Sequence, residues 1–124
     1  MSQEEHRQAL RPTAGGMLSV KIADEVARLK AKPEWSSGDR AAVSLVKDEA
    51  LNVLLMLLKK GARLDKHRTK GPIAMHVLSG AVCFSAESKS EELSAGSIAA
   101  LDRKVLHELE ALEESAILLI TAIE

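Results

Sequence analysis

The sequence GARLDKHRTKGPIAMHVLSG, Gly61–Gly80, decides the fold of this protein. It begins with a glycine, places His67 six residues later, and continues through a Gly-Pro bend into a short apolar run that a Ser-Gly pair closes. Short apolar runs bounded by Gly, Pro and Ser are typical of strands joined by tight turns. The stretch therefore predicts a strand, a loop that carries His67, a second strand and a tight turn.

The same strand rhythm continues to the end of the chain. Turn-forming residues recur after Gly61 and leave runs of five to eight residues between them. In residues 105–111 the side chains alternate, so that His107 and Leu109 share one face and glutamates occupy the other. Two further runs, Leu51–Leu58 and Ser115–Ile123, are apolar on both faces and suit strands covered on both sides. This pattern predicts an all-β protein, an antiparallel sandwich or barrel of roughly eight or more short strands.

Three regions are expected along the chain. Residues 1–16 are polar and predict a mobile tail, and residues 17–40 predict a short helix with a connecting segment, ahead of a β-barrel over residues 41–124. The helix is expected over about Ala23–Ala31, because an apolar stripe repeats every three to four residues and Pro33 follows. The segment PEWSSGDR after it predicts a turn, with Trp35 covering the core.

The composition excludes several classes of function. Seventeen basic and eighteen acidic residues form no block of like charge, and two aromatic residues are too few for base stacking, so we expect no nucleic-acid partner. No apolar run is long enough to cross a bilayer, so we expect no membrane partner either. The polar N-terminus and the single cysteine, Cys83, favour a cytoplasmic protein.

Two glycine-framed motifs resemble those of the cupin superfamily, small jelly-roll barrels that include the RmlC-like proteins. In the first motif Gly61, His67 and Gly80 stand where the family has its first glycine, first histidine and last glycine. In the second motif Gly96 and His107 match the two ends at the right separation. The resemblance implies a single-domain cupin β-barrel of jelly-roll type with a short N-terminal helix.

The chain departs from the family pattern at several positions. Thr69 replaces the second histidine and Ile73 replaces the glutamate of the first motif. In the second motif, residues 102–104 replace a proline-x-glycine turn and Ala111 replaces an asparagine. In metal-dependent cupins three histidines and the glutamate bind one divalent metal, so only His67 and His107 remain of that ligand set.

The resemblance implies a site at the mouth of the barrel and leaves two functions open. The first is a protein that binds a small molecule in its barrel without evident catalysis; the alternative is a metal-dependent enzyme of dioxygenase or isomerase type with the reduced His67/His107 set, holding Fe, Mn, Ni or Zn. Asp65 is the nearest acidic candidate for a third ligand, and whether the protein is an enzyme stays open. The expected ligand-binding residues are His67, His107, Thr69, Ile73 and Met75, with Val77, Leu78 and Leu101 in the wall.

A homodimer is the expected assembly. Strands that present apolar side chains on both faces need a second cover, and a symmetric pair of subunits is the commonest way to supply it. His76 has the opposite parity to Ile73 and Met75 on its strand, so we expect it outside the barrel or at the subunit contact.

Overall fold

The computed structural model describes residues 16–122. Helix α1 spans Ile22–Lys30, one residue earlier at each end than the apolar stripe predicts. Acidic side chains in its first turn and basic side chains in its last turn interact favourably with the helix dipole. The expected mobile tail lies outside the described residues, except for Gly16.

A second helix follows where the sequence predicts a turn. Helix α2 spans Pro33–Ser37, so Pro33 both follows the first helix and starts the next. Proline suits the first helical position because the amide hydrogen that it lacks would have no partner there. The prediction of turn structure over PEWSSGDR is wrong for these five residues. Trp35 is buried against the sheet, as expected.

Nine strands in the described part of the chain form two antiparallel sheets. Within the described residues the five-stranded sheet has the order β1-β2-β9-β4-β7 and the four-stranded sheet has the order β3-β8-β5-β6. The predicted all-β architecture is confirmed, and the strand order is that of a jelly roll. The strands are β1 Arg40–Lys47, β2 Leu51–Leu58, β3 Arg63–His67, β4 Ile73–Ser79, β5 Ala81–Ala86, β6 Lys89–Ser94, β7 Ile98–Leu101, β8 His107–Ala111 and β9 Ser115–Ala122.

The turn between β4 and β5 depends on glycine. Gly80 has φ +83°, a left-handed conformation that side chains other than glycine rarely adopt. A Cβ atom at this position would also collide with the carbonyl oxygen of Glu114 and with the side chain of Ser115. The last glycine of the predicted motif is therefore fixed by geometry, and it places β4 and β5 in different sheets.

Among residues 16–122, the buried apolar side chains form two clusters. The first lies between the sheets and includes Leu58, Met75, Val77, Val82 and Ile117, each fully buried. The second lies on the outer face of the five-stranded sheet, where Leu29 and Trp35 from the two helices pack on strands β1 and β2. The chain's own helices thus cover part of the outer surface that the sequence analysis assigns to a second subunit.

The rest of this outer face lacks a cover from the described residues. His76 pairs with Leu118 on β9 and with Ile98 on β7, which places the three side chains in one outward row. Ile98 is 65% exposed and Leu51, at the other side of the sheet, is 38% exposed. His76 therefore lies outside the barrel, as its parity predicts. None of the described helices is long and apolar enough to cross a membrane.

Candidate functional site

Pairing of β3 with β8 brings the two motif histidines together. The strands are antiparallel, with Leu64 opposite Leu109, and a register shift beyond this pair places His67 directly opposite His107. Side chains of directly opposed residues on one sheet face are neighbours. Forty residues of sequence separate the two histidines, and a single strand pairing makes them adjacent.

The two imidazole rings hold defined orientations. Their centroids lie 4.2 Å apart with an interplanar angle of 61°. The Nδ1 atom of His67 lies 2.9 Å from the carbonyl oxygen of Asp65, and that of His107 lies 2.9 Å from the carbonyl oxygen of Val105. A carbonyl oxygen only accepts, so each Nδ1 carries the hydrogen and donates it. In a neutral ring this leaves each Nε2 with a free lone pair.

Burial favours the neutral form of His107. The side chain is 5% exposed, and removal of the charged form from water lowers its pKa below the ordinary value of 6.5. The hydrogen bond to Val105 acts in the opposite direction, and the positive charge that His67 can carry lowers the pKa of His107 further. The buried member of the pair is therefore an acceptor at neutral pH.

A small cavity opens beside the two rings, at one end of the space between the sheets. Its volume is about 50 Å³, which is room for a few water molecules or one small functional group. The wall is mostly apolar, and the polar side chains in it belong to two histidines and two threonines. The lining residues are Leu64, His67, Thr69, Ile73, Phe84, His107, Leu109, Leu119 and Thr121.

Four of the five expected ligand-binding residues meet at this cavity. His67, His107, Thr69 and Ile73 all line it, although they come from β3, β4, β8 and a loop. Met75 and Val77 are fully buried in the core and do not line it.

Two of the expected wall residues lie elsewhere. Leu78 packs on the outer cluster beneath the helices, and Leu101 lines a separate groove of about 300 Å³ between β6 and β7. Phe84 contributes to the walls of both this groove and the cavity.

The sequence analysis did not identify the opposite wall of the cavity. Thr121 and Leu119 come from β9, which lies beside β4 in the other sheet. Phe84 comes from β5, and its ring centroid lies 5.7 Å from that of His107. The alternation of β8 did place Leu109 on the same face as His107. No comparable pattern marked the residues of β5 and β9, because their place depends on strand order.

The donor set does not fit the metal centre of the family. The Thr69 hydroxyl donates to the carbonyl oxygen of Gly71, 2.9 Å away, and Ile73 offers no ligand atom. Glu108 and Glu110 pair with Arg63, on the face away from the cavity. In residues 16–122 there is no group of three His, Cys, Asp or Glu side chains that could hold a metal ion. Protein zinc sites commonly use three or four such ligands.

Comparison with known proteins gives matches by structure alone. No family model matches the sequence, and a search of curated proteins finds no match. Among solved structures, a conserved protein of unknown function from Streptococcus pyogenes is similar with a TM-score of 0.72 and 18% identity. The match covers 87% of this chain and 91% of that one.

Further structural matches carry the family name. A cupin superfamily protein from Desulfitobacterium hafniense has a TM-score of 0.67 at 14% identity, over 68% of this chain and 78% of its own. An RmlC-like cupin from Shewanella frigidimarina has a TM-score of 0.66 at 16% identity, over 70% of this chain and 78% of its own. At such identities the likeness is one of fold.

Proposed function

We propose that this chain, which has the cupin fold, binds a small organic molecule at the mouth of the barrel without evident catalysis. The observation that carries the proposal is the pair His67 and His107 at one apolar cavity, with both Nδ1 atoms held by carbonyl oxygens. The two Nε2 atoms are thereby available to a ligand. Thr69, Ile73 and Thr121 complete the contact surface.

The chemistry of the cavity supports binding of an organic group. Small-molecule sites are typically apolar concavities with a few fixed polar atoms, and this cavity has that composition. Ile73 and Thr69 stand where the family has metal ligands, and an apolar side chain at such a position favours an uncharged organic group over a metal ion. At about 50 Å³ the cavity accepts one end of a ligand, while the rest extends into the open mouth.

A metal-dependent enzyme is the second candidate, and one observation favours it. Metal-binding histidines usually donate their second ring nitrogen to a carbonyl or carboxylate oxygen, and both His67 and His107 do so. Through Nε2 the pair would supply two ligands to an ion such as Fe, Mn, Ni or Zn. The incomplete donor set described above places this candidate behind the first.

The experiment that tests both candidates uses protein purified without an affinity tag. Native mass spectrometry detects a retained organic molecule, and elemental analysis of the same sample gives the metal content. The His67→Ala variant removes an exposed ring from the site and should leave the fold intact. The matched control is His76→Ala, which removes the same ring from the outer face of the other sheet.

We expect an organic molecule bound to the wild type and to His76→Ala and lost from His67→Ala, with a metal content far below one equivalent. About one equivalent of metal that disappears in His67→Ala would favour the enzyme instead. An organic molecule retained equally by all three proteins would contradict a role for the histidine pair.

A further inference from the structure

Two basic segments, the end of β3 with the loop that follows it and the loop before β8, meet beside the cavity at Thr69. Residues 65–70 and 102–104 carry five basic and two acidic side chains, although the whole chain has a net charge of −1. The backbone N–H of Lys104 donates to the carbonyl oxygen of Thr69 over 2.9 Å, which joins the loops beside the cavity. Arg68 and Lys70 flank Thr69 in sequence. These three cations, Arg68, Lys70 and Lys104, form what we call the basic rim.

The basic rim has no acidic partner among residues 16–122. Its three side chains are exposed, and none forms an ion pair within that part of the chain. The nearest acid in the second loop, Asp102, instead accepts the backbone N–H of Arg103 at 2.7 Å. Exposed cations without acidic partners attract anions and raise their local concentration near the segments that carry them.

Lys104 holds its place at a conformational cost. Its φ is +67°, in the left-handed region where a side chain other than glycine is disfavoured. The family motif has a glycine at this position, so the chain keeps the glycine conformation and adds a cation. The Lys104 side chain is therefore held at a position where glycine would be less strained.

The interior of the cavity presents hydrogen-bond acceptors. Both histidine rings direct Nδ1 to a backbone carbonyl oxygen, which leaves Nε2 as the ring atom for a ligand, and the Thr69 hydroxyl donates its hydrogen to the carbonyl oxygen of Gly71. Outside the lining but next to it, Asn52 pairs with the lining residue Thr121 across β2 and β9, and its buried Oδ1 has no hydrogen-bond partner among the described residues. A buried acceptor without a partner favours a ligand or water that donates to it. The complementary ligand group is therefore a donor such as a hydroxyl.

From the basic rim and the acceptor-lined cavity together, we propose that the ligand is a small hydroxylated organic anion. Its hydroxyl end enters the cavity and donates to His67 and His107, and its carboxylate or phosphate end lies at Arg68, Lys70 and Lys104. This inference rests on the proposed function and names the class of ligand. The scarcity of aromatic residues, with only Trp35 and Phe84 in the chain, disfavours a nucleic acid as the anion.

The test compares molecules that carry both groups with molecules that carry one. Glycerate and glycerol 3-phosphate have hydroxyls and an anionic end; glycerol has hydroxyls alone; propionate and inorganic phosphate have the charge alone. Binding is followed at pH 7.5 by the ring NMR signals of His67 and His107, in low salt and in 0.3 M salt. We expect at least one hydroxylated anion to bind about tenfold more tightly than glycerol and than the simple anion with the same charged group. Its binding should weaken in 0.3 M salt, because salt screens the charges of the basic rim. Comparison of glycerate with glycerol 3-phosphate identifies which anionic end the rim accepts.

Variants locate the binding energy. Lys104→Gly removes a rim cation and suits the left-handed backbone, so loss of binding cannot be attributed to misfolding. We expect the affinity for the hydroxylated anion to fall about five- to tenfold, with glycerol binding unchanged. Lys60→Gly makes the same change before β3, at the end remote from His67, and should leave both affinities unchanged.

Four results would overturn the inference. The first is that glycerol binds as tightly as glycerate and glycerol 3-phosphate do and that salt does not weaken its binding. The proposed small-molecule function would then remain, but the ligand would not be an anion. Another is equal loss in Lys104→Gly and Lys60→Gly, which would indicate non-specific charge attraction. The third is binding of inorganic phosphate alone as tightly as glycerol 3-phosphate. If no probe shifts the histidine signals, this ligand class is wrong, and the retained-molecule experiment decides separately whether the cavity binds anything.

Discussion

His67 and His107 stand directly opposite each other on β3 and β8, with ring centroids 4.2 Å apart. Two positive charges at this separation would repel strongly, and burial of His107 adds to the cost of charging it. The arrangement of the pair therefore favours the neutral form of the buried ring, His107. Backbone carbonyls fix both rings, so the orientation of the site does not depend on a bound ion.

Stability should fall as the pH drops below about 6.5. The pKa of His107 is lowered in the folded protein, so the unfolded chain binds a proton first and acidification favours unfolding in this window. Above pH 6.5 His107 is neutral in both states, and its contribution to the free energy of unfolding is complete. Below this pH the free energy of unfolding falls by at most about 1.4 kcal/mol per pH unit through this residue. Urea unfolding at a series of pH values measures this effect. His107→Asn cannot titrate and should make the loss of stability just below pH 6.5 less steep. An unchanged slope would mean that other groups cause the dependence on pH.

Lys104→Gly should stabilise the protein by about 1 kcal/mol. Relief of the left-handed backbone strain at φ +67° is the physical reason. Lys104→Ala is the matched control, since it removes the same charge but keeps a Cβ atom in the strained conformation. Urea denaturation should show a higher midpoint for the glycine variant alone. Equal midpoints for the two variants would mean that repulsion within the basic rim, and not the backbone, limits stability.

Asn52→Leu should stabilise the ligand-free protein by about 1 kcal/mol. A buried oxygen without a hydrogen-bond partner costs free energy, and an apolar side chain of similar size avoids that cost. The same change should weaken binding of a hydroxylated ligand if Asn52 accepts from it. Thermal unfolding with and without glycerate measures both effects. A destabilised variant would indicate that the Asn52 side chain makes hydrogen bonds in the ligand-free protein, which would contradict this prediction.

The protein should sediment as a dimer of about twice its 13.4 kDa chain mass. Ile98 is 65% exposed on the outward row of the five-stranded sheet that the helices leave uncovered, and a second subunit would bury it. Ile98→Glu should shift sedimentation towards the monomer. Met17→Glu changes another exposed apolar residue, away from the sheet, and serves as the control. A wild-type monomer at micromolar concentration would contradict the homodimer.

Glycine spacing and side-chain alternation made the fold predictable. The frame of Gly61, His67 and Gly80 gave the resemblance, and the alternation of β8 placed His107 and Leu109 on the inner face. The helix was located to within one residue by its apolar stripe. Helix α2 was missed because Pro33 both follows one helix and starts another, and a proline in sequence does not distinguish these roles.

The sequence by itself determined the all-β class, the strand rhythm and the two histidines at matched positions. These features depend on local chemistry, namely side-chain alternation and the turns that glycine permits. The tertiary structure decided what surrounds the histidines, namely Thr121 and Phe84 from distant strands. It also joined two basic segments through Lys104 and Thr69 and left the Oδ1 atom of Asn52 without a partner among the described residues. Such neighbours depend on strand order and register, which pair residues far apart in the chain and leave no periodic mark in the sequence.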